Sequence, residues 1–320
     1  MGHAELVHTA KAHAVRAALL AWAMLAAVIG GTLAVPHGWF GALVPVPAIA
    51  IAPAAIGIAA LVVALLPLER VGTTIVGDLR TGDAADGRLR NIADELSIAL
   101  GESTGSVLVS HADIPNAGAF PTADGVVVMA TSRAIEQLSR DELEALVAAQ
   151  FAGMRDPWCR LATRAELVWK YTIGLAFVSV FLAMPIPLMI GAVMVFLPKS
   201  IEATRDLCAD TAAVGATRNP TALADALRHL APVADAGSDQ RVTQRWYLPV
   251  SPFLVVPKRS RGTRTQTVMG RQRSWTTEEE VAAELELRAD RATALADGAD
   301  PRAYTGREYR RRFGQLGLDP

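Results

Sequence analysis

The sequence predicts a mainly α, polytopic membrane protein. About four membrane helices are expected, two N-terminal spans plus a proline-broken hairpin, with a cytoplasmic helical domain that carries a small β-sheet. Three observations predict this. Half of the 320 residues are hydrophobic, and they fall in blocks. Three runs, 17–35, 37–68 and 171–198, contain no Asp, Glu, Lys or Arg. Basic residues flank these runs in an order that the positive-inside bias can read.

The first run follows Lys11 and Arg16. It is long for the apolar part of a cleaved leader and a second apolar run follows at once, so a retained anchor is expected. In the second run, Ala48 to Leu68 has the roughly 20 apolar residues that span a bilayer, with Pro53 as a kink. The link 36–47 has no Lys or Arg, whereas Arg70, Arg80, Arg88 and Arg90 follow the second run. Both ends of this N-terminal hairpin, residues 1–68, are therefore expected in the cytoplasm. The third run would be about 42 Å long as one helix against a bilayer core of about 30 Å. Pro185 and Pro187 sit at its middle, and Lys170 and Lys199 flank it, so the reading is a hairpin with its tip at Pro-Ile-Pro. The expected location is the plasma membrane, multi-pass, with both termini cytoplasmic and the lipid bilayer as a partner.

The remaining segments read as a cytoplasmic part. Gly87 to Gly101 has Leu89, Ile92, Leu96 and Ile98 at helical spacing. "SVLVS" and "GVVVMA" are β-branched runs that read as two strands, with "HADIPNAGAFPTAD" as the loop between them. Ser139 and Glu142 form a capping box, and Leu143, Leu146, Val147, Gln150, Phe151 and Met154 follow on one helical face. Gln150 is thus a polar group on an apolar stripe; its bland reading is a buried amide bonded to backbone. Helices are expected over 200–214 and 221–230. The basic stretch 258–273, with six Lys and Arg, reads as a mobile loop near anionic lipid, and 278–295 as a charged helix.

Other classes are disfavoured. A formal net charge of −1 gives no electrostatic case for nucleic acid. The two cysteines, Cys159 and Cys208, have no CxxC neighbour and read as reduced thiols.

The order of pieces resembles the HtpX-type membrane zinc metallopeptidases, relatives of the CAAX prenyl endopeptidases. "DIPNAGAF" is similar to that family's Pro-Asn-Ala loop. "GVVVMATSRAIEQLSRDELEALVA" is similar to its edge strand and the lead-in to its active-site helix. "RDLCAD" and "TRNPTALADAL" are similar to its Arg-Glu-x-x-Ala-Asp helix and the segment after it. The resemblance covers about 17–230 and implies a metallopeptidase-like domain over 69–230, interrupted by the membrane hairpin 171–198. Residues 231–320 follow as a partly flexible C-terminal region.

Active members need His-Glu-x-x-His, in which two histidines four apart bind zinc and the glutamate polarises the attacking water. This chain has Ala149, Gln150 and Gly153 at those positions, and Asp206 at that of the third ligand. The companion Asp210 and Arg205 are retained. Alanine and glycine offer zinc no donor, and a glutamine is no general base. The resemblance then implies a degenerate motif with no catalytic residue, no metal site and no cofactor, where active relatives hold zinc. It implies a pseudoprotease whose candidate cleft is Pro115, Asn116, Gln150, Arg205 and Asp206, with Gln150 near Asp206. Its expected partners are membrane-protein clients or a paralogous protease. Two alternatives stand beside it: an active zinc endopeptidase with a site rebuilt from His111, Asp206, Cys208 and Asp210, and a structural membrane protein without a binding cleft. Asp206 and Asp210 also have a bland reading as helix residues paired with arginines.

Overall fold

A computed structural model of the chain describes residues 2–34, 67–79, 81–82, 87–111, 114–180, 198–235, 254–255, 263–268 and 271–299. In chain order the elements are α1 (Gly2–Ala34), α2 (Leu68–Val76), β1 (Thr81–Gly82), α3 (Gly87–Leu100), β2 (Thr104–Ser110), β3 (Ala117–Thr122) and β4 (Gly125–Thr131). They continue with α4 (Ser132–Gln137), α5 (Arg140–Arg155), α6 (Pro157–Val180), α7 (Pro198–Thr217), α8 (Pro220–Asp235), β5 (Thr263–Val268), β6 (Arg271–Thr276) and α9 (Thr277–Ala296). The fold is mostly helical around one small sheet.

The expectation of a polytopic membrane fold is overturned. Among the described residues no helix is long and apolar enough to cross a membrane. The start of α1 packs between helices, whereas Val15, Leu19 and Trp22 further along it are exposed. Leu6, Ala10 and Ala14 of α1 are buried with Cys159 and Ala162 of α6 and Leu207 and Cys208 of α7. The same stretch of α1 carries exposed His8, Lys11 and Arg16. Arg160, Arg164, Glu166 and Lys170 punctuate α6 before its uncharged end from Tyr171 to Val180. The second expected span, 48–68, and the Pro185–Pro187 hairpin tip lie outside the described residues, apart from the start of α2.

The sheet has the order β1-β2-β4-β3. β2 and β4 run parallel, and β3 is antiparallel to β4 from Ala117 opposite Ala130 to Thr122 opposite Gly125. The stretch read as a loop therefore contains a strand. Its Ala, Gly and Pro residues have low strand propensity, and β3 instead gains its place from the tight return at Gly125 and from burial of Phe120. Gly125 has φ 121°, a conformation that glycine tolerates without penalty. Pro121 lacks an N–H and sits on the outermost of the four strands, where a missing donor costs least.

α3 buries Leu89, Ile92, Ala93 and Leu96, whereas Ile98 points to solvent and is 83% exposed. The capping box at Ser139 is formed: the Glu142 N–H donates to Ser139 Oγ at 3.3 Å and the Ser139 N–H to Glu142 Oε2 at 2.7 Å. Glu142 also meets His229 Nδ1 at 2.8 Å, which ties the start of α5 to α8. The basic stretch read as a mobile loop instead forms the β5–β6 hairpin over most of its length. α9 is not a separate appendage, since it packs along α8 and also reaches α7.

α2 lies on β3, and Gly72 makes this approach feasible. A Cβ on Gly72 would sit 1.8 Å from the Pro121 carbonyl oxygen, which belongs to rigid strand backbone. Gly72→Ala is expected to destabilise the protein by roughly 3 kcal/mol, measured as a lower denaturant midpoint at unchanged slope.

Candidate functional site

α5 is the helix that carries Ala149, Gln150 and Gly153. Along it Ala145, Ala148, Ala149, Ala152 and Gly153 are buried together with the larger Leu143, Leu146, Phe151 and Met154, and Gly153 lies on the side that meets α7. This lets α7 come close. A Cβ on Gly153 would lie 3.6 Å from Ala209 Cβ, 3.7 Å from Ala209 Cα and 3.8 Å from Cys159 Sγ. Those are ordinary contacts, so a methyl fits there while an imidazole does not without a shift. Ala149 is fully buried. Gln150 is 2% exposed, and its Nε2 has no hydrogen-bond partner among the described residues. The backbone-bonded amide of the bland reading is thus not what its nitrogen shows.

α7 carries Arg205, Asp206 and Asp210, all buried. α6 adds Glu166, and α9 adds Arg288 and Arg291. Arg288 grips Asp210 with two bonds, Nη2 to Oδ1 at 2.7 Å and Nε to Oδ2 at 3.0 Å. Its Nη1 lies 3.6 Å from Asp206 Oδ2 and donates to the Val255 carbonyl at 3.3 Å. Arg291 donates to Asp210 Oδ2, Arg205 donates to Asp206 Oδ1, and Arg205 Nε lies 3.5 Å from Glu166 Oε2. The cluster is an alternating lattice of guanidinium and carboxylate groups closed off from water.

The electrostatics follow from that closure. Burial pushes the Asp206 carboxyl up, but Arg205 and then Arg288 outweigh it and hold it below the usual carboxylate range. Burial pushes Arg288 down, and Asp210 with Asp206 more than reverse that, so its charge is locked in. Arg205 is raised in the same way, chiefly by Asp206 and Glu166 against its own burial.

The helices of Gln150 and Asp206 pack together, Asp206 is taken by arginines, and the amide nitrogen of Gln150 does not bond to it. Pro115 and Asn116 are buried just before the start of β3. There the Asn116 N–H donates to Thr131 Oγ1 at 2.9 Å, and the Asn116 carbonyl accepts from the Thr131 N–H at 2.9 Å. Two clefts do open nearby. One of about 560 Å³ is lined by Arg155, Arg218 and Ala152, and one of about 210 Å³ by His3, Lys11, Trp158 and Cys208. Neither is lined by Gln150, Arg205 or Asp206.

These residues do not fit a zinc ion. Ala149 and Gly153 have no donor atom, and both carboxylates, Asp206 and Asp210, are engaged by arginines. Of the rebuilt set, His111 is exposed whereas Asp206, Cys208 and Asp210 are buried. Among the described residues no group of three or more His, Cys, Asp or Glu could hold a metal.

Sequence reading missed Arg288, Arg291 and Glu166. The signal for Arg288 was present: Val281, Leu285, Arg288 and Ala292 fall on one helical stripe, so an arginine stands where an apolar residue belongs. Comparison of the chain with models of protein families, with curated proteins and with solved structures finds no match.

Two outcomes test this geometry. Arg288→Met leaves Asp206 and Asp210 short of a buried partner and is expected to cost roughly 3–5 kcal/mol. A carboxyl lowered in the native state contributes stability that is full above its unfolded pKa and is lost as pH falls through the native one. The wild-type contribution from Asp206 should therefore persist down to about pH 4 and decline below it, as followed by denaturant titration across pH. Gly153→Ala, by contrast, is expected to stabilise by about 0.5–1 kcal/mol, because the added methyl meets no clash and helix propensity improves.

Proposed function

We propose that this chain is a catalytically inert homologue of HtpX-type zinc metallopeptidases that acts by binding a polypeptide, either a client or an active paralogue. The observation that carries the reading is Arg288 bound to Asp210 and close to Asp206. In the proposed ancestry those two carboxylates belong to the helix that faces a metal, and here a guanidinium neutralises them instead. A guanidinium donates hydrogen bonds and carries charge, but it has no vacant orbital with which to activate water. Ala149 and Gly153 supply no ligand, and Gln150 supplies no base. The buried order of α5 and α7 supports retention of the frame after loss of the chemistry.

Active catalysis through a rebuilt site is the competing reading, and one experiment separates the two. Purified full-length protein is incubated with zinc, desalted, analysed for metal per chain, and assayed on a labelled unfolded polypeptide for both cleavage and binding. Binding without cleavage, with zinc far below one per chain, is expected. Zinc near one per chain with chelator-sensitive cleavage that Asp206→Ala abolishes would overturn the proposal. Absence of binding would remove its second half.

A further inference from the structure

Arg218 stands in the turn between α7 and α8 with φ 54°. That left-handed backbone favours glycine and strains a residue that carries a Cβ. The turn fixes it from both sides. The Arg218 N–H donates to the Val214 carbonyl at 2.9 Å, and Asn219 Oδ1 accepts the Ala222 N–H at 3.1 Å as α8 begins. Glycine or asparagine is the usual residue at such a helix end, so an arginine there points to a use for its side chain. Among the described residues its guanidinium has no partner. It lines the cleft of about 560 Å³, a volume typical of ligand sites. Arg155, the last residue of α5, lines the same cleft, and its neighbour Glu102 is 4.0 Å away with both side chains exposed. Leu100, Ala152 and Ala212 supply apolar wall. The cleft of about 210 Å³ adjoins it, because Asp156, Ala212 and Gly215 wall both. It adds Lys11, whose Nζ lies 5.8 Å from the centre of the Trp158 ring. Asp156 is the one carboxylate among the described residues of either wall, and its Oδ1 accepts the N–H groups of Trp158 and Cys159 at 2.8 and 2.9 Å.

On the reading that the chain binds polypeptide, we propose that this double cleft takes an acidic, extended segment of the partner. Carboxylate side chains of that segment meet Arg155, Arg218 and Lys11, and small side chains between them lie against the alanine wall. Charge complementarity selects the acidic partner: three cations stand against one carboxylate that already serves the backbone of α6. The planar forks of Arg155 and Arg218 can each take a carboxylate through two parallel bonds. Two adjoining clefts, each with its own cation, select a linear chain over a compact anion, which one cleft alone would hold. Strain at Arg218 separates function from stability. A residue held there for the fold alone would be a glycine, whereas an arginine adds backbone strain and returns a charge on the cleft wall.

Full-length protein is titrated into a fluorescently labelled peptide of alternating Glu and Ala, with a peptide of alternating Lys and Ala and inorganic phosphate as the other ligands. The expected result is saturable binding of the acidic peptide that weakens as salt rises, no binding of the basic one, and no displacement by phosphate at equal concentration. Arg218→Gly should weaken binding about tenfold while its denaturant midpoint holds or rises, because the backbone strain goes with the side chain. Arg155→Gln should weaken binding to a similar degree, and Arg133→Gln, an exposed change on α4 outside both clefts, should not. Displacement by phosphate at equal concentration, equal binding of the two peptides, or undiminished binding by Arg218→Gly and Arg155→Gln would each overturn the proposal. A labelled unfolded polypeptide of balanced charge separates the two levels of failure. If it binds and the acidic peptide does not, the double cleft is the wrong place and the polypeptide reading stands; if neither binds, both are wrong.

Discussion

A buried positive charge must be answered wherever it sits, and Arg288 is answered from three directions. Asp210 and Asp206 face it from α7, and the Val255 carbonyl faces it from the segment beside β3. Leu254 bridges Gly118 of that strand, and Val255 donates its N–H to the Ala117 carbonyl at 2.9 Å. One guanidinium therefore joins the C-terminal helix, the central helix and the sheet edge. Its five donors lie in a fixed plane, so these acceptors are positioned by direction as well as by charge. A lysine would satisfy the charge and not the geometry.

The second constraint is steric. α5 and α7 approach closely because alanines and a glycine line the facing surface, and close approach fills the space that long metal-binding side chains would need. At Gly153 and Ala209 the two helices stand as close as small side chains allow. Histidines placed at Ala149 and Gly153 would push the helices apart, and they would leave the carboxylates shared between any bound metal and three arginines.

Local signals in the sequence proved more legible than global ones. The capping box at Ser139, the amphipathic face of α3 and the two Val-rich strands rest on spacing and backbone chemistry that act within a few residues, and the structure contains each. β3 was hidden because its Ala, Gly and Pro residues carry no strand signal, and pairing with β4 supplies what propensity lacks. The membrane reading rested on counting apolar residues between charges, a measure blind to whether those residues face lipid or another helix. Within the run 17–35, Ala17 and Ala18 are buried whereas Leu19 and Trp22 are exposed. At the site, Asp206 and Asp210 were legible as helix residues paired with arginines. The identity of those partners was not, because Arg288 lies 78 residues from Asp210 in the chain and only the fold brings them together.

That distance bears on what holds α7 and α9 together. Carboxylates enclosed in a protein interior are destabilising unless paired. The pairing seen here draws on Arg288 and Arg291, one helical turn apart on α9, while Arg205 is sequestered by Asp206 and Glu166. The arginines occupy the acceptors that any cation entering this interior would require. The charge balance of the core and the docking of α9 therefore depend on each other: without the helix the carboxylates of α7 would be stranded, and without the carboxylates the guanidinium groups of α9 would be.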